Sequence, residues 1–331
     1  MKGKRMKMKK KLSVLLCFIL SVVMVGCNAK APIPEASPSP SEAGAEKESL
    51  SLGLISSISA LPIIMAEEKG YFEEAGVDVK LEFFKAAKDR DAALQAGQID
   101  GVICDQIAIA IYQNAGIDMK ITGMTDGEFV LVAGANSGIN QVADLVGKKV
   151  AISENTVIEY TLDQLLDKYD VSEAAVEKVA IPAMPTRLEM LNNGEIDAAI
   201  MPSPFSDTAI ANGGKMIEKV DVDSGMYPSV TAFKQSVIDE KPDAIKAFYT
   251  AYNKGVDYIN TTDVKAYEDV IITTIGYPEE MRGNIIAPVF RKNQLPPLEE
   301  VEDVFDWCED KGLLTIELEP AGAVSDIGVI Q

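Results

Sequence analysis

The sequence reads as an α/β protein of two similar lobes, and three observations point that way. First, one stretch occurs twice. Leu94-Gln95-Ala96-Gly97-Gln98-Ile99-Asp100-Gly101-Val102-Ile103 returns 97 residues later as Leu191-Asn192-Asn193-Gly194-Glu195-Ile196-Asp197-Ala198-Ala199-Ile200, and Arg90 and Arg187 extend the match upstream. Second, each copy reads as a helix end, a Gly stop and a short strand that is apolar on both faces, as a parallel strand covered by helices would be. Third, strand and helix patterns alternate in the same order around both copies. A βα unit repeated inside two halves predicts two related lobes facing each other.

The chain opens on a targeting segment. Lys2, Lys4, Arg5, Lys7, Lys9, Lys10 and Lys11 form a basic region, and Leu12 to Val25 an apolar one too short for a membrane span of ~20 residues. Residues 28–49 are rich in Pro, Ser, Ala and Glu and cannot bury apolar area, so they read as a disordered tether. Losing the first 26 residues lowers the basic count from 31 to 24 against 51 acidic residues, a formal charge of −27. Such a surface repels nucleic acid and anionic lipid. Cys104 and Cys308 match no metal-binding spacing. A disulfide between them is one reading; two buried thiols are the favoured one, because free Cys packs as a small hydrophobe.

The folded part starts with the strand Leu50 to Ile55 and the hydroxyl-rich loop Ser56-Ser57-Ile58-Ser59. Leu61 to Lys69 is a helix with Pro62 in its first turn, ended by Gly70. Val77 to Phe84 is a strand, Arg90 to Ala96 a helix, Ile99 to Ile103 a strand and Asp105 to Asn114 a helix. Phe129 to Ala133 is β-rich, and the polar Ala135 to Gly138 reads as the first crossing between lobes. The second lobe repeats the order: strand Lys149 to Ile152, helix Val157 to Lys168, strand Val179 to Ile181, helix Arg187 to Asn193, strand Ile196 to Met201, helix Ser203 to Ala211. Ser229 to Phe233 reads as the return crossing. Pro242 to Ile259, Val264 to Ile275, Glu279 to Ile286 and Leu298 to Lys311 carry apolar residues at helical spacing and are expected to pack on the first lobe. The expected boundaries are 1–26 for the signal, 27–48 for the tether, 49–131 with 231–331 for lobe I, and 132–230 for lobe II.

The chemistry favours a binder over an enzyme. There is no His, hence no Ser–His–Asp triad, no zinc-binding His pair and no imidazole base. No phosphate-cradling Gly-rich motif is present, and no cofactor or metal is expected. In open α/β sheets ligands sit beyond the carboxyl ends of the strands. That rule selects Ser56, Ser57, Ser59, Lys85 and Asp105 in one lobe, and Glu154, Asn155, Thr156, Met184, Ser203 and Phe205 in the other. Tyr227 joins them as a ring that could stack on a flat ligand. Ser59, Thr156 and Ser203 suit helix N-caps equally well.

Four features together resemble a known family. They are Met24-Val25-Gly26-Cys27, similar to a bacterial lipobox; the tether; the pattern from Met65 to Val77 containing Glu68-Lys69-Gly70-Tyr71-Phe72; and Val142 to Val150 where the second lobe starts. With the twinned Gly-x-Ile-Asp, they resemble the solute-binding lipoproteins of ABC importers, in the branch for nitrate, sulfonate, taurine and the pyrimidine precursor of thiamine. The likeness runs from about Leu50 to Leu314. It implies a type-II periplasmic-binding-protein fold with two hinge crossings, a small molecule trapped between the lobes, and delivery to the transmembrane subunits of an ABC permease. A membrane sensor would receive the ligand from the same kind of sequence. The resemblance also implies acylation of Cys27, anchoring to the lipid membrane at the outer face of the bacterial cytoplasmic membrane, and a monomer.

Two carboxylates, Asp105 and Glu154, are expected to face each other across the cleft. They would repel an anion by about 4 kcal/mol per pair at ~4 Å. That expectation favours a neutral or amine-bearing molecule, such as an aminopyrimidine thiamine precursor, over nitrate or a sulfonate.

Overall fold

The computed structural model describes residues 47–221 and 229–330. The signal, Cys27, nearly all of the tether and Tyr227 lie outside them. Ten strands run in chain order: β1 (Glu48–Ile55), β2 (Val77–Phe84), β3 (Gly101–Asp105), β4 (Met119–Met124), β5 (Phe129–Ala133), β6 (Lys149–Ile152), β7 (Glu177–Ala180), β8 (Ala198–Pro202), β9 (Lys215–Val220) and β10 (Ser229–Lys234). They form two sheets of the same design, β2-β1-β3-β10-β4 in lobe I and β7-β6-β8-β5-β9 in lobe II. In each, three parallel strands are followed by one that runs antiparallel to both its neighbours. That odd strand is the one the chain enters on arriving from the other lobe.

This pairing corrects the expected crossings. Phe129–Ala133 lies wholly in the second sheet, so the first passage falls between Met124 and Phe129 and not at Ala135–Gly138. Ser229–Lys234 is not a crossing but a strand between β3 and β4, so the return passage lies before Ser229. Glu48, placed in the tether by sequence, opens β1 and pairs with Val77. Isolated polar residues at a strand end carry no signal of which sheet they join.

The repeat has a physical explanation. Gly97 and Gly194 both have φ +72°, a left-handed helix stop that an added Cβ would strain. Three residues later the Asp of each copy clamps the neighbouring strand. Ser51 N–H donates to Asp100 Oδ2 at 2.9 Å, and Lys149 N–H to Asp197 Oδ2 at 2.8 Å. The strands that follow, β3 and β8, are buried at every residue. They start at Gly101 and Ala198, two residues after the apolar run begins, because Asp100 and Asp197 are spent on the clamp.

The helices are α1 (Leu61–Glu68), α2 (Tyr71–Ala75), α3 (Ala87–Gln95), α4 (Gln106–Asn114), α5 (Val157–Lys168), α6 (Met184–Asn192), α7 (Phe205–Ala211), α8 (Gln235–Glu240), α9 (Pro242–Thr261), α10 (Glu268–Val270) and α11 (Leu298–Asp310). α3 and α6 begin three residues before their arginines. Along α9, Ile245, Phe248, Tyr249, Tyr252 and Val256 make a buried stripe at helical spacing. α9 presses on α1 so closely that a Cβ at Gly255 would stand 2.2 Å from the Pro62 carbonyl oxygen.

Two expectations for the C-terminal third fail. Only 3-10, α and π turns occur from Val264 to Met281, and residues 284–297 contain no helix. Nor does α11 pack on lobe I alone. Val304, Phe305 and Cys308 join an apolar cluster that includes Ile109 of α4 and Leu162 of α5. Trp307 sits edge-on to Tyr160, and its indole N–H donates to Asp163 Oδ2 at 3.3 Å, both in lobe II. α11 is therefore a third tie between the lobes. Among the described residues no helix is long and apolar enough to cross a membrane.

Candidate ligand-binding site

The carboxyl ends of both sheets face one cleft, and loops from both lobes enclose a cavity of about 90 Å³. Its walls are largely apolar, with Ile55, Ile103, Phe129, Val157, Pro182 and Met184 contributing. Hydroxyls of Ser57, Ser59, Ser153, Thr156 and Ser229 lie among them. Ser57 and Thr156 also cap helical turns, Ser57 accepting from Ser59 N–H and Thr156 from Ile158 N–H. Capping and cleft-lining coincide because a strand end followed by a helix start is where an open α/β sheet puts both.

Two of the hydrogen bonds between the lobes lie at the cleft. Ile58 N–H donates to the Ser203 carbonyl at 3.2 Å. Asp105 is the second link. Its Oδ1 caps α4 by accepting from Ala108 N–H at 2.8 Å, and its Oδ2 accepts from Val157 N–H of α5, in the other lobe, at 3.2 Å. Asp105 thus places a carboxylate at the positive end of α5, where the helix dipole favours it. Burial raises its pKa, against the pull of Arg90 and the two N–H donors.

Three cations stand near the cleft. Lys85 is exposed at its mouth and has no ion-pair partner among the described residues. It precedes α3, whose N-cap Ala86 offers no side-chain acceptor, and Ala86 and Ala87 both line the cavity. Arg90 lines the cavity and is 3% exposed. Its Nη1 donates to the Ile103 carbonyl at 2.7 Å, and its Nη2 lies 2.7 Å from Asp91 Oδ1. Burial works against its charge, yet Tyr112 and Asp91 hold its pKa above the ordinary value. Arg187 is fully buried and, among the described residues, has no carboxylate partner. It donates to the Ile181 and Ile200 carbonyls and, at 2.5 Å, to Ser153 Oγ. Burial lowers its pKa to about 9, which leaves it a cation at neutral pH.

Of the residues singled out by sequence, Ser57, Ser59, Lys85, Asp105, Thr156 and Met184 line this cavity. Ser56, Glu154, Asn155, Ser203 and Phe205 do not. Asn155 adopts φ 58°, and this left-handed turn leaves Glu154 exposed and away from the cleft. The Asn155 N–H is taken by Glu159 Oε2. Ser203 turns the other way, its hydroxyl donating to Glu128 Oε1 at 3.1 Å. Phe205 packs against the lobe II core. The facing pair Asp105 and Glu154 is therefore not formed, and the repulsion argument for an amine-bearing ligand loses one of its two carboxylates. Arg90 and Arg187, which the sequence marks only as part of the repeat, are both buried. Phe129 was missed, being read only as part of a strand; Ser153 opens the loop Ser153-Glu154-Asn155-Thr156 that the strand-end rule selects, but was not chosen from it as a site residue. Cys104 and Cys308 are both buried free thiols, and burial holds their pKa values up, that of Cys308 to about 12. Among the described residues no cluster of Cys, Asp or Glu could hold a metal ion.

Residues 57–266 match the family model described as NMT1/THI5 like. A protein of Bacillus subtilis (strain 168) named for binding aliphatic sulfonates is 26% identical over 328 residues, covering 90% of this chain and 95% of its own. The taurine-binding periplasmic protein of Escherichia coli (strain K12) is 22% identical, covering 74% of this chain and 78% of its own. Among solved structures, the alkanesulfonate-binding protein of Xanthomonas axonopodis pv. citri bound to MOPS superposes with a TM-score of 0.72 at 17% identity, covering 85% of this chain and 99% of its own.

Proposed function

The chain belongs to the NMT1/THI5-like family, and on that premise we propose that it is the extracytoplasmic solute-binding protein of an ABC importer, held to the membrane through acylated Cys27. It is a binder and not an enzyme: it traps its ligand between the lobes and presents it to a permease. The ligand we infer is a small organic sulfonate. One observation carries this reading. The cleft has apolar walls for a short carbon chain and, at its mouth, a lysine without an ion-pair partner among the described residues beside an uncapped helix start. An anion with an apolar body uses both features, whereas nitrate has no carbon body to place against Ile103, Phe129 and Met184. The names of the Bacillus and Escherichia relatives support the same class.

Calorimetry of the purified protein with alkanesulfonates, taurine, nitrate and an aminopyrimidine tests this. Alkanesulfonates should bind most tightly, and Lys85→Met should weaken them about tenfold or more, the worth of a charge-assisted hydrogen bond. An aminopyrimidine remains the second reading, because Asp105 and the Phe129 ring both line the cavity. It requires Asp105 to give up Val157 N–H to an amine. Tight aminopyrimidine binding with none for sulfonates would establish that reading and end the first. For the anchor, Cys27→Ser should release the protein from membranes or leave an unprocessed precursor; unchanged membrane recovery would rule it out.

A further inference from the structure

Three backbone segments form one wall of the cleft, and each sends adjacent residues to opposite faces. Ser57 and Ser59 line the ligand cavity, while Ile58 between them lines a second cavity. Phe129 and Pro202 line the first; their chain neighbours Glu128 and Ser203 line the second. The wall is one backbone thick. Across it Ile58 of lobe I is joined to Ser203 of lobe II by the 3.2 Å main-chain bond, and a Cβ at Gly127 would come within 3.1 Å of Ser59 Cβ. Because its segments come from different lobes, the wall parts when the lobes separate.

The second cavity encloses about 350 Å³. Two carboxylates, Glu128 and Asp207, line it with the Ser203 and Tyr277 side chains. Tyr277 is 4% exposed, and burial, with Asp207 nearby, pushes the pKa of its hydroxyl above the ordinary value. Lys219 lines it too, 2.5 Å from Asp221 and 3.6 Å from Glu128, so of the two acids Glu128 is partly balanced. Asp207 has no ion-pair partner among the described residues. Ile58, Met281 and Pro288 supply apolar wall.

We propose that this second cavity binds a primary ammonium group on a short alkyl chain, supplied by the far end of the solute in the main cleft or by a free amine. An ammonium carries three donors and no acceptor, which suits two carboxylates and a hydroxyl oxygen converging on one space. Its methylenes lie against Ile58 and Met281. A sulfonate would meet two like charges here, so the two cavities sort a zwitterion end to end: sulfonate toward Lys85, ammonium toward Asp207. The first form of the proposal, an aminoalkanesulfonate spanning both cavities, rests on the sulfonate reading above; the second, a free amine, does not.

The test uses the full chain and three ligand series: n-alkanesulfonates, ω-aminoalkanesulfonates of increasing length, and n-alkylammonium chlorides. Calorimetry should show the amino series exceeding its plain counterpart by about tenfold or more once the chain spans the wall. That ratio should collapse toward one in Glu128→Gln and in Asp207→Asn. Tyr277→Phe, which keeps the ring, should reduce it in part. Alkylammonium binding that both carboxylate variants abolish, with a flat ratio in the sulfonate series, assigns the site to free amines. Alkylammonium binding with no sulfonate binding at all removes the sulfonate reading and leaves the amine site standing. A flat ratio together with no alkylammonium binding, or binding indifferent to both variants, overturns the proposal.

Discussion

Arg90 and Arg187 occupy the same place in the two lobes and do different things. Each sends Nη1 at 2.7 Å to the carbonyl oxygen of the isoleucine thirteen residues on, Ile103 and Ile200. Each thereby ties a helix to the buried strand of its own repeat. Around Arg90 the charge is balanced, because Asp91 accepts from it and Tyr112 donates to the same Asp91 oxygen. Around Arg187 every acceptor among the described residues is neutral. The strand registers show where the lobes diverge. Leu52 pairs with Gly101 and Val150 with Ala198, so Ile55 of lobe I corresponds to Ser153 of lobe II. Asp105 likewise corresponds to Pro202, 97 residues on. Lobe I carries the acid that crosses the cleft; lobe II carries an unbalanced buried cation behind a serine that lines it. One architecture, duplicated, has been given opposite electrostatics on the two sides of the ligand.

The largest expected effect follows from that contrast. Arg187→Leu leaves the Ile181 and Ile200 carbonyls and Ser153 Oγ without their buried donor, and should cost about 4 kcal/mol in urea unfolding. Arg90→Leu should cost less, about 2 kcal/mol, because Asp91 is partly exposed and keeps Tyr112. Equal losses, or a larger one at Arg90, would mean that charge balance is not what separates the sites.

Asp105→Ala comes next. It removes the α4 cap and the bond to Val157, and should cost about 1–2 kcal/mol. Its distinguishing mark is local: amide exchange should accelerate at Ala108 in lobe I and at Val157 in lobe II together. Acceleration at Ala108 alone would show that the link across the cleft contributes nothing. The two repeat glycines test the opposite property, likeness. Gly97→Ala and Gly194→Ala have the same φ of +72° and no atom within 4 Å of an added Cβ, so each should cost about 1 kcal/mol through backbone strain alone. Unequal costs would show that the repeats are not equivalent at the point where they look most alike.

What the sequence made legible and what it hid divide along physical lines. The Gly stop, the Ile-Asp clamp and the apolar strands are local, and their spacing survives in both copies. The loops at strand ends were legible by topology, and six of the residues chosen there line the cavity. Glu154 was not, because its direction depends on the left-handed turn at Asn155, and a non-Gly residue in that region is uncommon. The burial of Arg187 was hidden because its partners are main-chain carbonyls and one serine hydroxyl, none of which marks an arginine site in sequence. The bridging role of α11 was hidden for another reason: an amphipathic stripe shows that a helix is covered and not by what.

That bridge yields the smallest effect, and one that depends on pH. Glu159, Asp163 and Glu173 of lobe II converge on Lys178 of the same lobe and on Lys311, which follows α11. Trp307 N–H also points at Asp163. Glu173 has its pKa lowered, burial being outweighed by hydrogen bonds from Lys178 and Lys311. A depressed carboxylate contributes stability that is present above its unfolded value, near 4.5, and is lost as pH falls through the lower folded value. Lys311→Met removes one of the two lysines, leaving three carboxylates on Lys178. At neutral pH the variant should lose at most about 1 kcal/mol, since these pairs are partly solvated. The gap between wild type and variant should then close as pH drops below ~4, because protonated carboxylates have no charge left to balance. Urea midpoints measured from neutral to acid pH decide it. A gap that stays constant across that range would assign the contribution of Lys311 to the packing of its stem on Trp307, and the third tie between the lobes would be apolar rather than ionic.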